Sequence, residues 1–306
     1  MTGATLKFHK LDVFTSTPFI GNPLAIVHVP SGSSLSQESK QLIAREFNLS
    51  ETIFLHEKNS SDDSHVVVDI FTTSEELPFA GHPTVGAGFF LLSRSPDLQT
   101  VTLRIRAGDI PVVRTEDGGV SLNAPVDFRV HPRLSIDSVK SAQPQLSDAD
   151  YVNGVSGAEG CASVVKGMTF LLLAVTSEDA LRRLQPYPKR LTIPNAEETL
   201  GAWGVGFAGI YIFYEQSNAE GITTIRTRMF DGPLEDPATG SAACTLSGWL
   251  ALQKGAGVHK FKIVQGVEMG RRSDISVAVT VGDDGEIKSI ALQGKAVEVM
   301  EGTVRI

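Results

Sequence analysis

A short glycine-rich segment occurs twice in this chain of 306 residues, and the repetition constrains the fold more than any other feature. Residues 77–88 read LPFAGHPTVGAG, and residues 236–248 read DPATGSAACTLSG. One offset, 240 − 81 = 159, places Gly81 on Gly240 and needs no gap along the segment. Two copies of one small-residue turn predict two related halves, with one site built from both.

Each copy lies between a predicted strand and a predicted helix. β-Branched and aromatic residues, which favour strands, precede the copies at 66–71 (VVVDIF) and 223–230 (TTIRTRMF). Apolar and small residues follow, and these stretches close with FFLL at 89–92 and WLAL at 249–252. Because almost no charge interrupts them, they predict short helices that are buried on several sides.

The two glycines stand where these helices are predicted to begin. The first turn of a helix has backbone N–H groups without partners and carries positive partial charge. Two such starts facing each other would bind a carboxylate, which is the functional interpretation of Gly81 and Gly240. The alternative is that both glycines only allow tight turns and close helix packing.

Composition restricts the class of protein and its partners. A chain with 42% apolar and 20% charged residues is typical of a soluble globular protein, and no run of about 18 apolar residues is available to cross a membrane. The net charge is −8 and no basic run occurs, which argues against nucleic acid or an anionic membrane as a partner. The length suffices for two domains, each with its own core.

Cysteine usage indicates the compartment and removes several reaction classes. Only Cys161 and Cys244 occur, and the first residues lack the apolar segment of a signal peptide, so we expect a cytoplasmic protein. Cys244 lies inside the second predicted helix and is interpreted as a packing thiol. No HExxH, CxxC or GxSxG motif is present, so no zinc site, redox pair or serine-hydrolase elbow is predicted.

The first half also contains an amphipathic helix. Residues 35–49, LSQESKQLIAREFNL, follow two predicted strands, and Ser36 is a suitable N-cap for the helix. Leu42, Ile43 and Phe47 are expected to lie on one side of the helix.

The second half repeats this pattern of strand and helix. Residues 167–188 predict a strand followed by a helix that Ser177 or Thr176 caps and that stops before Pro186. We expect the chain to cross between the halves at Pro125, and residues 294–306 to form a closing pair of strands.

Three ionisable residues lie beside the repeated segments. Glu51 stands at the entry to an apolar strand, where desolvation would raise its pKa toward the range useful for proton transfer; the alternative is a solvated rim residue. His82 follows Gly81 at a helix start, which favours its neutral imidazole. Asp236 precedes Pro237, either as a functional carboxylate or simply as a helix cap.

Five blocks of sequence together resemble the phenazine-biosynthesis PhzF-like family. They occur in the family's order and span nearly the whole chain: DVFTSTPFIGNPLAIV at 12–27, NLSETIFL at 48–55, ELPFAGHPTVGAG at 76–88, EDPATGSAA at 235–243 and QGVEMGRRS at 265–273.

The resemblance implies a fold and an assembly. It implies the α/β (α+β) fold of the diaminopimelate-epimerase-like superfamily, with two pseudo-symmetric domains, each a curled sheet around a central helix, and the active site in the cleft between them. The first domain would comprise residues 1–125 and 295–306, and the second residues 126–294. It further implies a homodimer that uses no metal and no organic cofactor.

The resemblance also assigns roles to particular residues. Glu51 matches the family's catalytic acid/base, and the family's prototype uses such a glutamate to take a proton from one carbon of a dihydro-hydroxyanthranilate and return it to another. Substrate binding is carried over to a set of residues near the two turns: Ser50, Gly81, His82, Asp236, Gly240 and Ser241.

The resemblance extends to epimerases of the same fold, which use a different catalytic arrangement: two thiols face each other across the α-carbon of the substrate. Here the corresponding turns offer His82 and Ser241, and Cys244 stands alone. This absence favours a carboxylate over a thiolate as the group that transfers the proton.

The hypothesis is therefore an isomerase that moves a proton within a small carboxylate-bearing metabolite. Two alternatives stay open: a ligand-binding or scaffold protein without efficient turnover, and a thiol-independent amino-acid epimerase. Residues 128–165 match nothing informative, so the substrate is not predicted. Arg272, in GRRS where the family pattern has GRPS, is expected to face solvent.

Overall fold

The computed structural model describes residues 5–57, 65–193, 196–203 and 207–306. They form two compact units. The first contains the described residues up to Asn123 together with Leu292–Ile306, and the second contains Ala124–Ala291.

The first unit alternates strands with two helices. Its elements are β1 (Thr5–Val13), β2 (Asn22–Val29), α1 (Gln37–Phe47), β3 (Glu51–His56), β4 (His65–Phe71), β5 (Glu76–Leu77), α2 (Gly81–Ser93), β6 (Thr100–Ile105), β7 (Gly108–Arg114) and β8 (Val120–Asn123). β1 pairs with β2 antiparallel, β2 with β3 parallel, β3 with β4 antiparallel, β4 with β6 parallel, and β6 with β7 and β7 with β8 antiparallel.

Helix α2 forms the core of this unit. It contacts β1, β2, β3, β6, β7 and β8, so the sheet curls around it. Its residues are buried from Gly81 through Gly88, as the uninterrupted apolar sequence predicts. Close packing depends on glycine, because a Cβ at Gly88 would lie 2.4 Å from Val112 Cγ1. The predicted buried helix is therefore confirmed, and the sheet on every side of it is what buries it.

Helix α1 packs on the other face of the same sheet. Ser36 caps it and accepts a hydrogen bond from the Ser39 N–H at 3.1 Å, as predicted. Ile43 and Phe47 pack into an apolar cluster with the strands. Leu42 is 55% exposed, so the prediction that it shares a side with Ile43 and Phe47 is wrong, because a residue adjacent to Ile43 points about 100° away on a helix.

The second unit repeats this order of elements with one added strand and two added short helices. They are β9 (Arg129–Leu134), α3 (Asp137–Ser141), β10 (Glu159–Ser163), β11 (Thr169–Ala174), α4 (Glu178–Arg183), α5 (Ala196–Leu200), β12 (Phe207–Ala219), β13 (Ile222–Asp231), β14 (Leu234–Asp236), α6 (Gly240–Lys254), β15 (Gly257–Gln265), β16 (Ser273–Val281) and β17 (Ile287–Gly294). β10 pairs with β11 antiparallel, β11 with β12 parallel, β12 with β13 antiparallel, β13 with β15 parallel and β15 with β16 antiparallel.

Strand register shows that the two units are structural repeats. In the first unit Ile70 of β4 pairs with Leu77, and in the second Met229 of β13 pairs with Asp236, which is the same pair moved by 159 residues (229 − 70 and 236 − 77). The offset read from the two glycines is therefore also the offset of the fold.

Helix α6 is buried like α2 and contacts β10, β11, β15 and β16. Of the two predicted caps, Ser177 is the one that caps α4, through a hydrogen bond from the Ala180 N–H at 3.0 Å. Ala180 and Leu181 of α4 pack on the sheet in a second apolar cluster. Each unit thus has a central helix within its sheet and a smaller helix outside it.

The last segment forms one strand rather than the predicted pair. Strand β18 (Ala296–Arg305) pairs antiparallel with β1 in the first unit. Gly302 lies within the strand, opposite Phe8, so no turn divides the segment. Among the helices in the described part of the chain, none is both long and apolar enough to cross a membrane.

Candidate active site

Glu51 is the first residue of β3, and the local sequence fixes its position. Helix α1 ends at Phe47, and its C-cap is Asn48, whose left-handed backbone (φ 49°) turns the chain and whose N–H bonds to the Ala44 carbonyl. Three residues later the chain enters β3, where Glu51 pairs with Leu24 of β2. The Glu51 side chain is 18% exposed, so it is not a solvated rim residue.

His82 lies at the start of α2, beside Glu51. The N-cap residue, Ala80, has an extended backbone and no capping side chain, and Pro83 has no N–H to offer. Neither Gly81 nor Gly240 is among the glycines with positive φ, so a left-handed turn does not explain them. The first turn of α2 therefore presents the N–H groups of Gly81 and His82 without a side-chain cap.

A hydrogen bond joins the two ionisable groups. His82 Nδ1 lies 2.9 Å from Glu51 Oε2, and the imidazole is 3% exposed. The other ring nitrogen, Nε2, is buried and has no hydrogen-bond partner among the described residues. If Nδ1 carries the proton that Glu51 accepts, a neutral ring offers Nε2 as a free acceptor. The neutral state of His82 stays a prediction.

The environment of Glu51 lowers its pKa. Burial raises the pKa, but the hydrogen bond with His82, the charge of His82 and a hydrogen bond with Ser50 act against it. Together they hold the pKa of Glu51 below its ordinary value of 4.5. The prediction of a raised pKa is therefore wrong, because it considered the apolar strand alone and omitted a partner 31 residues further along the chain.

Ser50 links this pair to Asn22, for which the sequence predicted no role. The Ser50 hydroxyl lies 3.3 Å from Asn22 Oδ1, and Asn22 is 1% exposed at the start of β2. Asn22 belongs to the first of the five resembling blocks, and a buried amide just before an apolar strand is the signal that could have identified it.

The second unit places Asp236, Gly240 and Ser241 at the corresponding turn. Asp236 ends β14, and Gly240 and the buried Ser241 begin α6. The N-cap is Thr239, so the interpretation of Asp236 as the helix cap is wrong. Thr239 instead donates its hydroxyl hydrogen to Asp236 Oδ2 at 2.6 Å.

Gln265 holds this turn from β15, and sequence reasoning missed it. It is 0% exposed, and its amide bonds to the Asp236 carbonyl, the Thr239 hydroxyl and the Thr239 N–H. Tyr211 of β12 donates to the same amide. Gln265 opens the last resembling block, but a polar residue at a strand end gives no periodic signal.

Neither cysteine has the ionised thiol that proton transfer would need. Both are free and buried, and burial raises the pKa of Cys161 and of Cys244 to about 12. Neither is therefore a thiolate near neutral pH. Arg272 is 53% exposed and bonds to Asp274, which agrees with its expected position at the surface.

Only one group of side chains in the described part of the chain has metal-ligand spacing, and it lies outside the predicted site. It consists of His9, Glu298 and Glu301. Arg94 already occupies it, since its guanidinium donates to Glu298 Oε2 at 2.6 Å and lies 3.4 Å from His9 Nδ1. This cation makes the group an ion-pair cluster rather than a suitable metal centre.

Solved structures identify the fold. The chain is similar to the PhzF-family phenazine biosynthesis protein of Bacillus anthracis, with a TM-score of 0.77 at 24% identity over 99% of this chain and 100% of that one. The fold is thus the diaminopimelate-epimerase-like one, with a curled sheet around a central helix in each unit.

Sequence comparisons then identify the family. The chain belongs to the phenazine biosynthesis-like (PhzC-PhzF) family, whose model matches residues 11–302. It is 32% identical to an uncharacterised isomerase of Pasteurella multocida, over 95% of this chain and 91% of the relative. It is 29% identical to the trans-2,3-dihydro-3-hydroxyanthranilate isomerase of Pseudomonas aeruginosa, over 97% of this chain and 98% of that enzyme. The protein is accordingly an isomerase of this family.

Proposed function

We propose that this protein moves a proton between two carbons of a small carboxylate-bearing metabolite, with Glu51 as the acid/base group and without a cofactor. The buried hydrogen bond between Glu51 Oε2 and His82 Nδ1, 2.9 Å long at the start of α2, carries the proposal. It joins a carboxylate to a group that can stabilise and orient it.

The lowered pKa of Glu51 sets the order of the steps. At neutral pH Glu51 is ionised, so it acts first as the base and takes a proton from a substrate carbon. The electron pair of the broken C–H bond delocalises into the substrate's unsaturated system. An anionic substrate next to Glu51 raises its pKa by charge repulsion and by excluding water, which favours this protonated state. Glu51 then returns the proton to a second carbon, and the product is an isomer.

His82 serves both partners in this scheme. Its Nδ1 holds the Glu51 carboxylate, and its Nε2, which has no partner among the described residues, forms a hydrogen bond with a polar group of the substrate. The uncapped N–H groups of Gly81 and His82 bind the substrate's negative charge. The proposed binding roles of Ser50, Asp236, Gly240 and Ser241 rest on the family resemblance.

The duplicated fold supports a single base. Ile53 of the first unit pairs with Ile70, and Tyr211 of the second unit pairs with Met229, so Ile53 and Tyr211 are equivalent. Glu51 and Gly209 stand two residues before them in the chain and are therefore equivalent as well. Gly209 has a φ of +139°, and a Cβ there would lie 2.6 Å from the Phe230 carbonyl oxygen. A second carboxylate therefore has no place at the equivalent position, and neither cysteine is a thiolate at neutral pH.

Proton exchange in deuterated water tests the proposal. The substrates are a panel of small aromatic and amino carboxylates that includes trans-2,3-dihydro-3-hydroxyanthranilate, for which the Pseudomonas aeruginosa relative is named. The wild-type protein is expected to isomerise one of them and to incorporate deuterium. Glu51→Gln keeps the shape of the side chain but should abolish incorporation while binding stays close to normal. Glu57→Gln, an exposed glutamate just after the same strand, is the matched control.

Other outcomes would favour the alternatives. Full activity of Glu51→Gln would end the proposal. Thermal stabilisation by a compound without any exchange indicates a binding or scaffold protein. Racemisation of a chiral amino acid indicates a thiol-independent epimerase. We also propose a cytoplasmic homodimer, for which light scattering coupled to gel filtration gives the mass of the assembly.

A further inference from the structure

We propose that Gln265 is a positioning residue for this reaction: it holds the turn that carries Asp236 and begins α6. The inference rests on the proposed function. The bonds of Gln265 show how it acts, and the first unit shows that the fold itself does not require it.

The side-chain amide of Gln265 uses all of its hydrogen-bonding capacity. Its two N–H groups donate to the Asp236 carbonyl at 2.8 Å and to Thr239 Oγ1 at 3.0 Å. Its oxygen accepts from the Thr239 N–H at 3.2 Å and from the Tyr211 hydroxyl at 2.9 Å. The orientation of the amide is therefore determined, since a flipped amide would face a carbonyl with oxygen and an N–H with nitrogen.

These bonds clamp the turn at both ends. Gln265 binds a backbone carbonyl at the end of β14 and a backbone N–H at the N-cap of α6, three residues apart in sequence. The first amides of α6 follow directly, and no side chain caps them. Gln265 thus determines where the uncapped start of α6 lies.

Gln265 also determines the direction of the bond to Asp236. A threonine hydroxyl has only one hydrogen to donate. Because Gln265 donates to Thr239 Oγ1, the hydroxyl hydrogen is free for Asp236 Oδ2, which accepts it at 2.6 Å. The carboxylate is held in one orientation as a result.

The network continues into the core of the second unit. Thr227 donates to the Tyr211 hydroxyl at 3.0 Å, and both residues are fully buried. Burial raises the pKa of Tyr211, so it stays protonated and keeps donating to Gln265.

The first unit provides an internal comparison for this network. The repeat register relates Tyr211 to Ile53 and, by the 159-residue offset, Thr227 to Val68. The strand parallel to β13 is β15 and the strand parallel to β4 is β6, and their registers relate Gln265 to Ile105. These counterparts are apolar and buried: Ile53 0%, Val68 2% and Ile105 6% exposed.

The N-cap residues differ in the same way: α2 has the apolar Ala80, whereas α6 has the polar Thr239. The same fold therefore forms with apolar residues at the equivalent positions. A buried polar network is costly unless each of its polar groups has a hydrogen-bond partner. The first unit folds without such a network at these positions. The network's place beneath Asp236 and the start of α6 points to a role in holding these groups for the substrate.

Paired variants separate positioning from stability. Gln265→Met keeps the length of the side chain and removes its bonds. Gln143→Met is the matched control, because Gln143 is also buried in the second unit and its amide bonds to both backbone groups of one residue, Gln185. Both variants should lower the Tm. With the carboxylate that wild type isomerises fastest, Gln265→Met should lower kcat/KM on the order of 10- to 100-fold, as a displaced site group does.

Substitutions at Thr239 give a readout that a purely structural role would not move. Thr239→Ser retains the hydroxyl and should keep kcat/KM near wild type, whereas Thr239→Val removes the hydroxyl and should lower kcat/KM. Gln265→Met and Thr239→Val remove the same hydrogen bond between the two side chains. The double variant should therefore lower kcat/KM by less than the product of the two separate decreases. Tyr211→Phe, a milder change, should give a smaller decrease and serves if Gln265→Met does not fold.

The outcomes distinguish this inference from the proposed function. If wild type isomerises a carboxylate but Gln265→Met or its substitute Tyr211→Phe matches Gln143→Met in kcat/KM, the positioning role is overturned and the proposed function stands. If wild type isomerises none of the panel, the proposed function fails, and the inference fails with it.

Discussion

Replacing His82 by leucine should raise the pKa of Glu51. The leucine is similar in size but removes the donor that lies 2.9 Å from Glu51 Oε2, in a place where the imidazole is 3% exposed. Burial, the largest influence on this carboxyl group, then acts almost unopposed. A hydrogen bond to a charged group contributes about 1.5–3 kcal/mol, so removing the donor should destabilise the ionised form of Glu51 by about that amount.

The same change should alter how stability depends on pH. In wild type the folded-state pKa of Glu51 is below its ordinary 4.5, so the pair stabilises the fold above that pH, and the contribution is lost as pH falls through the folded pKa. In His82→Leu the folded-state pKa of Glu51 is expected to lie above its ordinary 4.5, so the ionised carboxyl group destabilises the fold instead of stabilising it. The variant should therefore lose more free energy of unfolding at neutral pH than in acid, where Glu51 is protonated in both proteins.

Carbon-13 NMR of labelled glutamate measures the Glu51 pKa directly, and urea unfolding at neutral and acidic pH measures the stability. His82→Asn is the matched control, since its Nδ2 can take the place of Nδ1 as a neutral donor and should give a smaller rise. In a Glu51→Gln background the pH-dependent part of the His82→Leu effect should vanish. A Glu51 pKa that is unchanged or lower in His82→Leu would refute the reasoning.

Three further predictions follow from buried residues. Gly88→Val should lower the free energy of unfolding by about 1–3 kcal/mol in urea titrations, because its Cβ would lie 2.4 Å from Val112. Lys140→Met should cost about 3–5 kcal/mol by the same measurement, since it leaves the buried Glu159 carboxylate unpaired. Cys244→Ala should isomerise substrate like wild type, and the native thiol should resist iodoacetamide, because burial raises its pKa to about 12; loss of isomerisation would contradict this.

The sequence predicted the repeat because glycine and apolar residues at fixed spacing reflect packing that both units share. The offset between Gly81 and Gly240 recurs in the strand pairing, and Ser36 and Ser177 cap helices as their local sequence indicates. Leu42 was misplaced because hydrophobicity alone does not choose between neighbouring positions on a helix.

Properties that depend on distant partners could not be predicted in this way. The pKa of Glu51 depends on an imidazole brought beside it by the fold, and the role of Gln265 depends on a turn 26 residues earlier. Lys40 is buried because Asp69, on another element, pairs with it at 2.5 Å. Periodicity reports which face is buried, but it does not report which polar groups meet there.

The backbone at Gly209 bears on how such enzymes could diversify. Because its φ is +139° and the space for a Cβ is taken by the Phe230 carbonyl, no single codon change could place a second glutamate at the position equivalent to Glu51. A duplicated glutamate would require the start of β12 to be rebuilt. Specialisation by new substrates, through changes around a retained Glu51, is the shorter evolutionary route.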